Sequence, residues 1–154
     1  MVGRLLPYLQ PLAGWPTFFC KGQTVGKVDL EQATLEVETA LDSYGLDFDD
    51  VQNDDLEDLE AIKKKLASAI SRGQVILDDE NRFVLVIGDD RFVFNEPTGA
   101  DLLTMDGSGK KAVGEVHKMN RLLASVTKQP VTKFATMKYR DLKIAQSIIT
   151  LFLA

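Results

Sequence analysis

Two segments in the N-terminal half repeat their inward-facing positions every three or four residues, which is the spacing of one face of an α-helix. The first predicted helix runs from Leu30 to Tyr44. Asp29 is placed to cap its first turn, Gln32 occupies the matching capping-box position, and Gly45 can end it. Its predicted inward face consists of Leu30, Thr34, Val37, Leu41 and Tyr44.

The second predicted helix spans about residues 55–72 and ends before Gly73. Its first turns are acidic and Arg72 lies in its last turn, an order that suits the helix dipole. Because a short acidic connection joins the two helices, the pattern predicts an antiparallel helical hairpin over residues 29–73. The apolar positions of the second helix are Leu56, Leu59, Ile62, Leu66, Ala69 and Ile70.

The pattern then changes to three short runs rich in β-branched and aromatic residues, separated by turn sequences, and these runs predict an antiparallel β-meander. In the middle strand, Phe83, Leu85 and Ile87 face one way. Val84 and Val86 face the other way. Since both faces are apolar, we expect helices to cover one face and something else, such as another subunit, to cover the other. The three runs are 74–78, 82–88 and 91–95.

A helical pattern returns after the strands. Thr98 followed three residues later by Asp101 resembles a capping box, which predicts a short helix ending near Met105. A longer helix is predicted over about residues 112–127. Its inward positions are Val113, Val116, Met119, Leu122, Leu123 and Val126.

A last amphipathic helix is predicted from Tyr139 to the end of the sequence, after a turn anchored by Phe134 and Met137. Its apolar stripe consists of Leu142, Ala145, Ile148, Ile149 and Phe152. Three further apolar residues widen this stripe beyond what one neighbouring helix can cover, so we expect the surplus to contact another chain. They are Ile144, Leu151 and Leu153.

Together these elements predict an α+β fold: an N-terminal acidic helical hairpin, a three-stranded antiparallel β-meander and a C-terminal bundle of two to three helices. Residues 5–20 carry no charge, but Pro7, Pro11 and Pro16 interrupt them. We therefore expect an extended arm there, with neither a membrane span nor an export signal. The predicted regions are the Pro-rich arm 1–28, the acidic hairpin 29–73 and the meander with C-terminal helices 74–154.

Charge is distributed unevenly along the 154 residues. Residues 1–80 hold 7 basic and 16 acidic side chains, whereas the remaining residues hold 11 and 7. Thirteen acids and no Lys or Arg lie between Asp29 and Glu60. Like charges at this density repel, so the acidic face must meet water or a basic partner, which could be the chain's own C-terminal half. This acidity, with basic residues spread evenly through the C-terminal half, argues against nucleic-acid binding.

No local motif predicts catalysis, a cofactor or a metal. The loop Gly107-Ser-Gly-Lys110 lacks the spacing of a phosphate-binding loop, and Lys111 stands where that motif needs Ser or Thr. A calcium loop that starts at Asp47 would need an oxygen ligand at Val51 and a glycine at Gln52, and the sequence has neither. Only one cysteine, Cys20, and one histidine, His117, are present, and nothing local pairs them. We expect a non-enzymatic protein.

From about residue 82 onward, the order of features resembles the tail assembly chaperones of tailed bacteriophages. The resemblance begins with a β-hairpin that leads into Glu96-Pro97-Thr98-Gly99-Ala100-Asp101. A loop and the helical segment 120–127 follow, then a turn through Phe134, Met137 and Tyr139-Arg-Asp141-Leu. An amphipathic helix ending Ile148-Ile-Thr-Leu-Phe152-Leu closes it. In that family the Pro-Thr-x-x-Asp motif and the Asp at the start of the last helix are structural landmarks.

The resemblance implies a non-enzymatic chaperone that binds the tape-measure protein and assists assembly of the tail tube, with the tail tube protein as a second partner and a homo-oligomer as a possible form. It implies action in the cytoplasm of the bacterial host during phage assembly. The alternative is a structural protein of the virion, in the tail, baseplate or neck. The candidate partner-binding residues are Ile144, Ile148, Leu151, Phe152, Leu153, Val84 and Val86.

Overall fold

A computed structural model describes residues 28–46, 53–106 and 114–153. Several predicted features lie outside these ranges: residues 1–27 of the Pro-rich arm with Cys20, most of the acidic connection, the Gly107–Lys110 loop and Val113. In order, the elements are α1 (Leu30–Ser43), α2 (Asn53–Ser71), β1 (Val75–Leu77), β2 (Phe83–Ile87), β3 (Asp90–Val93), α3 (Gly99–Leu103), a 3-10 turn (Thr104–Asp106), α4 (Glu115–Thr127), α5 (Val131–Ala135) and α6 (Tyr139–Leu153).

The sheet is the predicted antiparallel meander, in the order β1-β2-β3. Leu85 at its centre pairs with Val75 on one side and Phe92 on the other. Because side chains alternate across a strand, these three residues share a face, and Val84 and Val86 lie on the opposite face as predicted. The α+β class is therefore confirmed.

A single hydrophobic core joins the helical hairpin to the rest of the described chain. α2 packs against α1 and α6, and α6 also packs against α4 and β2. The hydroxyl of Ser71, at the end of α2, donates a hydrogen bond of 2.8 Å to the carbonyl of Val28 just before α1. The largest fully buried side chains are Phe83, Phe94, Phe134, Leu66, Leu85, Leu122, Leu123, Ile148, Ile149, Leu151, Val37 and Val75.

The first helix differs from its prediction in the face that it buries. Leu30 is 54% exposed, and Thr34 is exposed too. The buried face is centred on Ala33 and Ala40, whose small side chains allow α1 to lie close to α2. Asp29 is at the N-cap position, but its side chain makes no capping hydrogen bond. Gly45 takes the expected left-handed conformation, with φ of +65°.

Two predictions for the C-terminal helices need correction. Val116 is 64% exposed because it lies in the first turn of α4, whereas Leu122 and Leu123 further along the helix are fully buried. The segment after Pro130 is a short helix, α5, and not only a turn. Pro130 can occupy the N-cap position of α5 because the backbone N–H there would have no partner within the helix. Phe134 anchors α5 in the core.

Candidate partner-binding surfaces

The last helix is mostly part of the core. Ile144, Ile148 and Leu151 are buried, and this contradicts the prediction that they form an apolar surface open to another chain. The physical reason is that α6 has three neighbours, α2, α4 and β2, and so needs a wide apolar stripe for its own fold. Phe152 is half-buried, with its ring edge-on to Tyr44 at 4.7 Å. Leu153, at 44%, is the most exposed of the predicted contacts.

The two predicted contacts on β2, Val84 and Val86, differ in their burial. Val84 is buried, so it is not an open contact either. It lies on the second face of the sheet and outside the main core cluster. Val86 is half-buried and lines a groove. The prediction of an accessible contact on the sheet therefore remains for Val86 alone.

This groove, here called the sheet–corner groove, has a volume of about 630 Å³ and lies between the β2–β3 hairpin and the corner where α5 meets α6. Val86, Ile87, Phe92 and Met137 give it an apolar lining. Three basic side chains also line it, although sequence spacing alone suggested no basic patch, because the turn from α5 into α6 brings them together. They are Lys133, Lys138 and Arg140.

Acids inside the same groove balance much of its positive charge. Lys133 Nζ lies 2.6 Å from Asp90 Oδ1 and 5.6 Å from the centre of the Phe92 ring. Arg140 Nε lies 3.6 Å from Asp141 Oδ1. Since two of the three bases have an acidic neighbour, the groove has little net charge with which to select a charged partner.

A second groove runs over the surface of the helical hairpin. Two clefts, of about 350 and 400 Å³, share Glu60 and Lys64 and therefore adjoin. We call them together the hairpin groove. α1 contributes Leu30, Thr34, Val37 and Glu38. The remaining lining residues, all on α2, are Leu56, Glu57, Ala61 and Lys63.

The acids of the hairpin do not pair with the basic half of the chain in the described ranges. Glu60 of the hairpin pairs with Lys63 of the same helix at 3.1 Å. Every ion pair of the sheet and C-terminal helices stays within that part of the chain. The chain's own C-terminal half therefore does not neutralise the exposed acids of α1 here.

Asp101 is the most buried acid among the described residues, at 5% exposure. Its carboxylate accepts hydrogen bonds from the Ser125 hydroxyl, from the Thr98 hydroxyl at 2.7 Å and from the Thr98 amide at 2.9 Å. The Ser125 and Thr98 hydrogen bonds lower the pKa of Asp101 to about 2. This confirms the predicted capping box and fastens α3 to α4, which is a structural role.

A second polar network connects the sheet to the end of α4. Arg82 Nε lies 2.8 Å from Asp78 Oδ2, and the Arg82 guanidinium also donates to Asn95 Oδ1. The Asn95 amide nitrogen donates to the carbonyl of Val126 at 2.8 Å. Burial tends to raise the pKa of Asp78, but hydrogen bonds from Arg82 and Glu80 outweigh burial and leave that pKa below its usual value. These contacts fix the β1–β2 turn against α4.

Two buried polar atoms have no hydrogen-bond partner within the described part of the chain, Tyr44 Oη and Asn120 Oδ1. Burial raises the pKa of Tyr44 to about 12. The Tyr44 ring lies among aromatic neighbours, with Phe83 at 6.3 Å and Phe152 at 4.7 Å between ring centres. The hydroxyl is thus neutral at ordinary pH.

The one histidine, His117, is exposed on α4, and the one cysteine, Cys20, lies outside the described ranges. No group of three metal-ligating side chains occurs in residues 28–46, 53–106 and 114–153. Within the same ranges, none of the helices has both the length and the apolar character to cross a membrane.

Comparison with known proteins found no similarity that identifies a family. No protein-family model matches the chain, and no curated protein or solved structure matches it significantly.

Proposed function

We propose that this protein is a non-enzymatic assembly chaperone of a tailed bacteriophage, which binds the tape-measure protein and assists assembly of the tail tube around it. The observation that carries the proposal is the hairpin groove. There an exposed leucine, Leu30, shares a cleft with two acids and two lysines of the hairpin, and no base of the C-terminal half pairs with a hairpin acid in the described chain. A surface that is both apolar and charged can hold an aggregation-prone partner and keep the complex soluble.

The order of elements supports the choice of client. The Pro97-Thr98 motif caps α3 through Asp101, and Asp141 lies in the first turn of α6, as the resemblance to tail assembly chaperones implies. The client surface differs from the one that the sequence suggested. Because most of α6 is buried, we place client binding on the grooves and not on the last helix.

The test is co-expression with the tape-measure protein of the same phage. We expect the soluble fraction of the tape-measure protein to rise severalfold when the chaperone is present. We also expect the two proteins to co-purify. An inert soluble protein expressed at the same level is the control. If the tape-measure protein is equally insoluble with either partner, the proposal is wrong.

Mass spectrometry of purified virions separates this proposal from a structural role in the tail, baseplate or neck. A chaperone that leaves after assembly gives only traces in the mature particle. A stoichiometric amount in the virion would instead support the structural role.

A further inference from the structure

The hairpin groove offers about two helical turns of surface on each helix. In the cleft that both helices line, α1 contributes Leu30 to Glu38 and α2 contributes Glu60 to Lys64. The adjoining cleft continues along α2 alone, from Leu56 to Lys64. Nine residues of helix span about 12 Å, so the apolar residues of a third helix at helical spacing can lie along this surface, against Leu30, Leu56 and Ala61.

The surroundings of the groove are acidic on both helices. Glu31 and Asp42 on α1 and Asp58 on α2 are exposed beside the lining acids. Of the two bases in the groove, Lys63 already contacts Glu60 at 3.1 Å. The local charge is therefore negative, and it favours a partner that carries positive charge on the flanks of its apolar face.

The sheet–corner groove does not share this preference. Its bases Lys133 and Arg140 already lie beside Asp90 and Asp141. A charged partner would have to displace these contacts, which removes most of the gain from a new pair. The linings of the two grooves carry equally small net charges of opposite sign, so the exposed acids around the hairpin groove are what favour a basic partner there.

We infer that the hairpin groove binds an amphipathic helix of the client, with an apolar stripe flanked by Lys and Arg. The inference rests on the proposed function, because the client supplies the helix. It goes further in naming the site and the chemistry of the bound segment: Lys and Arg of the client contact Glu38 and Glu57, while its apolar stripe covers Leu30 and Ala61.

The direct test uses two fluorescently labelled synthetic peptides with the same leucine stripe at helical spacing, one with Lys and one with Glu at the flanking positions. Fluorescence anisotropy measures their binding to the full-length protein. We expect the Lys peptide to bind at least about tenfold more tightly than the Glu peptide, with a gap that narrows as salt is added. Equal binding of the two peptides would overturn the inference.

A charge-reversal variant, Glu38→Lys with Glu57→Lys, tests whether the preference for the Lys peptide arises in the hairpin groove. Its matched control is Asp79→Lys with Asp106→Lys, which changes the net charge equally at exposed acids that have no ion pair in the described chain. We expect the groove variant to lose about tenfold in affinity for the Lys peptide and the control to lose much less. Equal losses would show that only the overall charge matters, and the inference would fall.

A steric variant tests the apolar part of the site. Ala61→Trp fills the groove, and Ala100→Trp adds the same ring at an exposed position of α3. We expect only Ala61→Trp to weaken binding of the Lys peptide by about tenfold. Circular dichroism of each variant checks that it is folded, and unimpaired binding by a folded Ala61→Trp protein would contradict the site.

Co-expression separates this inference from the proposed function. If the wild-type protein solubilises the tape-measure protein but Glu38→Lys/Glu57→Lys does so equally well, the function stands and the groove assignment fails. If the wild-type protein does not solubilise it at all, the proposed function fails, whatever the peptides do.

Discussion

The acidic side chains of the helical hairpin and those of the sheet with its C-terminal helices make different kinds of contact. In the second region, Asp90 and Asp101 have partners 43 and 24 residues away in the chain, Lys133 and Ser125, whereas Asp78 pairs with Arg82 across the β1–β2 turn. In the described part of the hairpin, Glu60 has such a contact, but only with its own helix. The acids of the second region therefore fix the structure, whereas those of the hairpin mainly define a surface.

The two regions nevertheless depend on one core. α2 belongs to the hairpin by sequence, and it packs on α6, which belongs to the C-terminal helices. Since apolar burial is the main favourable contribution to folding, the hairpin should not unfold independently of the rest.

The strongest way to break this connection is to shorten a buried side chain of α6. We expect Ile148→Ala to lower the free energy of unfolding by about 2–5 kcal/mol, because Ile148 is fully buried and the substitution leaves a cavity. Chemical denaturation followed by circular dichroism measures the change. Leu153→Ala, at the exposed end of the same helix, is the control, with an expected change within about 0.5 kcal/mol.

If Leu153→Ala proved as costly as Ile148→Ala, α6 would not be buried as described. If the Ile148→Ala protein unfolded in two separate transitions, the hairpin and the C-terminal helices would not share a cooperative core.

Asp101→Asn tests whether an acid of the second region stabilises through its charge. The folded-state pKa of Asp101 is about 2, below the ordinary value of an aspartate, so its charge stabilises the fold above about pH 4 and ceases to do so as the pH falls towards 2. We expect Asp101→Asn to cost about 2 kcal/mol at pH 7, and the difference from wild type to shrink across that acid range. Urea denaturation at several pH values measures it.

Asp106→Asn is the control for this experiment, because Asp106 is exposed and makes no ion pair within the described residues. A cost of Asp101→Asn that stayed constant from pH 7 to about pH 2 would mean that shape and neutral hydrogen bonds, and not charge, account for its effect.

The smallest expected effect concerns the hairpin surface. Glu38 and Asp42 are exposed one helical turn apart on α1, and Asp42 lies near the negative end of the helix dipole. We expect Glu38→Gln with Asp42→Asn to raise stability by about 0.2–0.5 kcal/mol at low salt, because like charges at this spacing repel. Thermal unfolding at low salt and at about 0.5 M salt measures it, since added salt screens the repulsion.

Glu31→Gln provides the opposite control, because Glu31 lies in the first turn of α1, where a negative charge suits the dipole. We expect that variant to be slightly less stable than wild type. A loss of stability in Glu38→Gln/Asp42→Asn would show that these acids have stabilising partners and do not simply repel each other.

The sequence was sufficient for the elements whose signals are local. The meander followed from β-branched runs between turn residues, and the Thr98–Asp101 capping box followed from residue types at a fixed spacing. The hairpin helices were found for the same reason, within two residues at most of their boundaries.

The surfaces were harder to predict because they depend on contacts between distant segments. An apolar stripe does not reveal how many neighbours a helix has, so Ile144 and Leu151 suggested a binding surface when α6 needed them for its own core. Leu30 was assigned to the core because it continues the three- and four-residue spacing of Val37 and Leu41, but α1 buries Ala33 and Ala40 and leaves Leu30 exposed. The sheet–corner groove required α5, which the sequence suggested only as a turn.

The hydrogen bond between Ser125 and Asp101 has a consequence for how this chain can change in length. It holds α3 and α4 together at points 24 residues apart, on either side of residues 107–113. The cost of joining two fixed ends rises only slowly with the number of residues between them, by about 0.6 kcal/mol for each doubling of length. Added sequence between Asp106 and Gly114, even a foreign domain, should therefore cost the fold little.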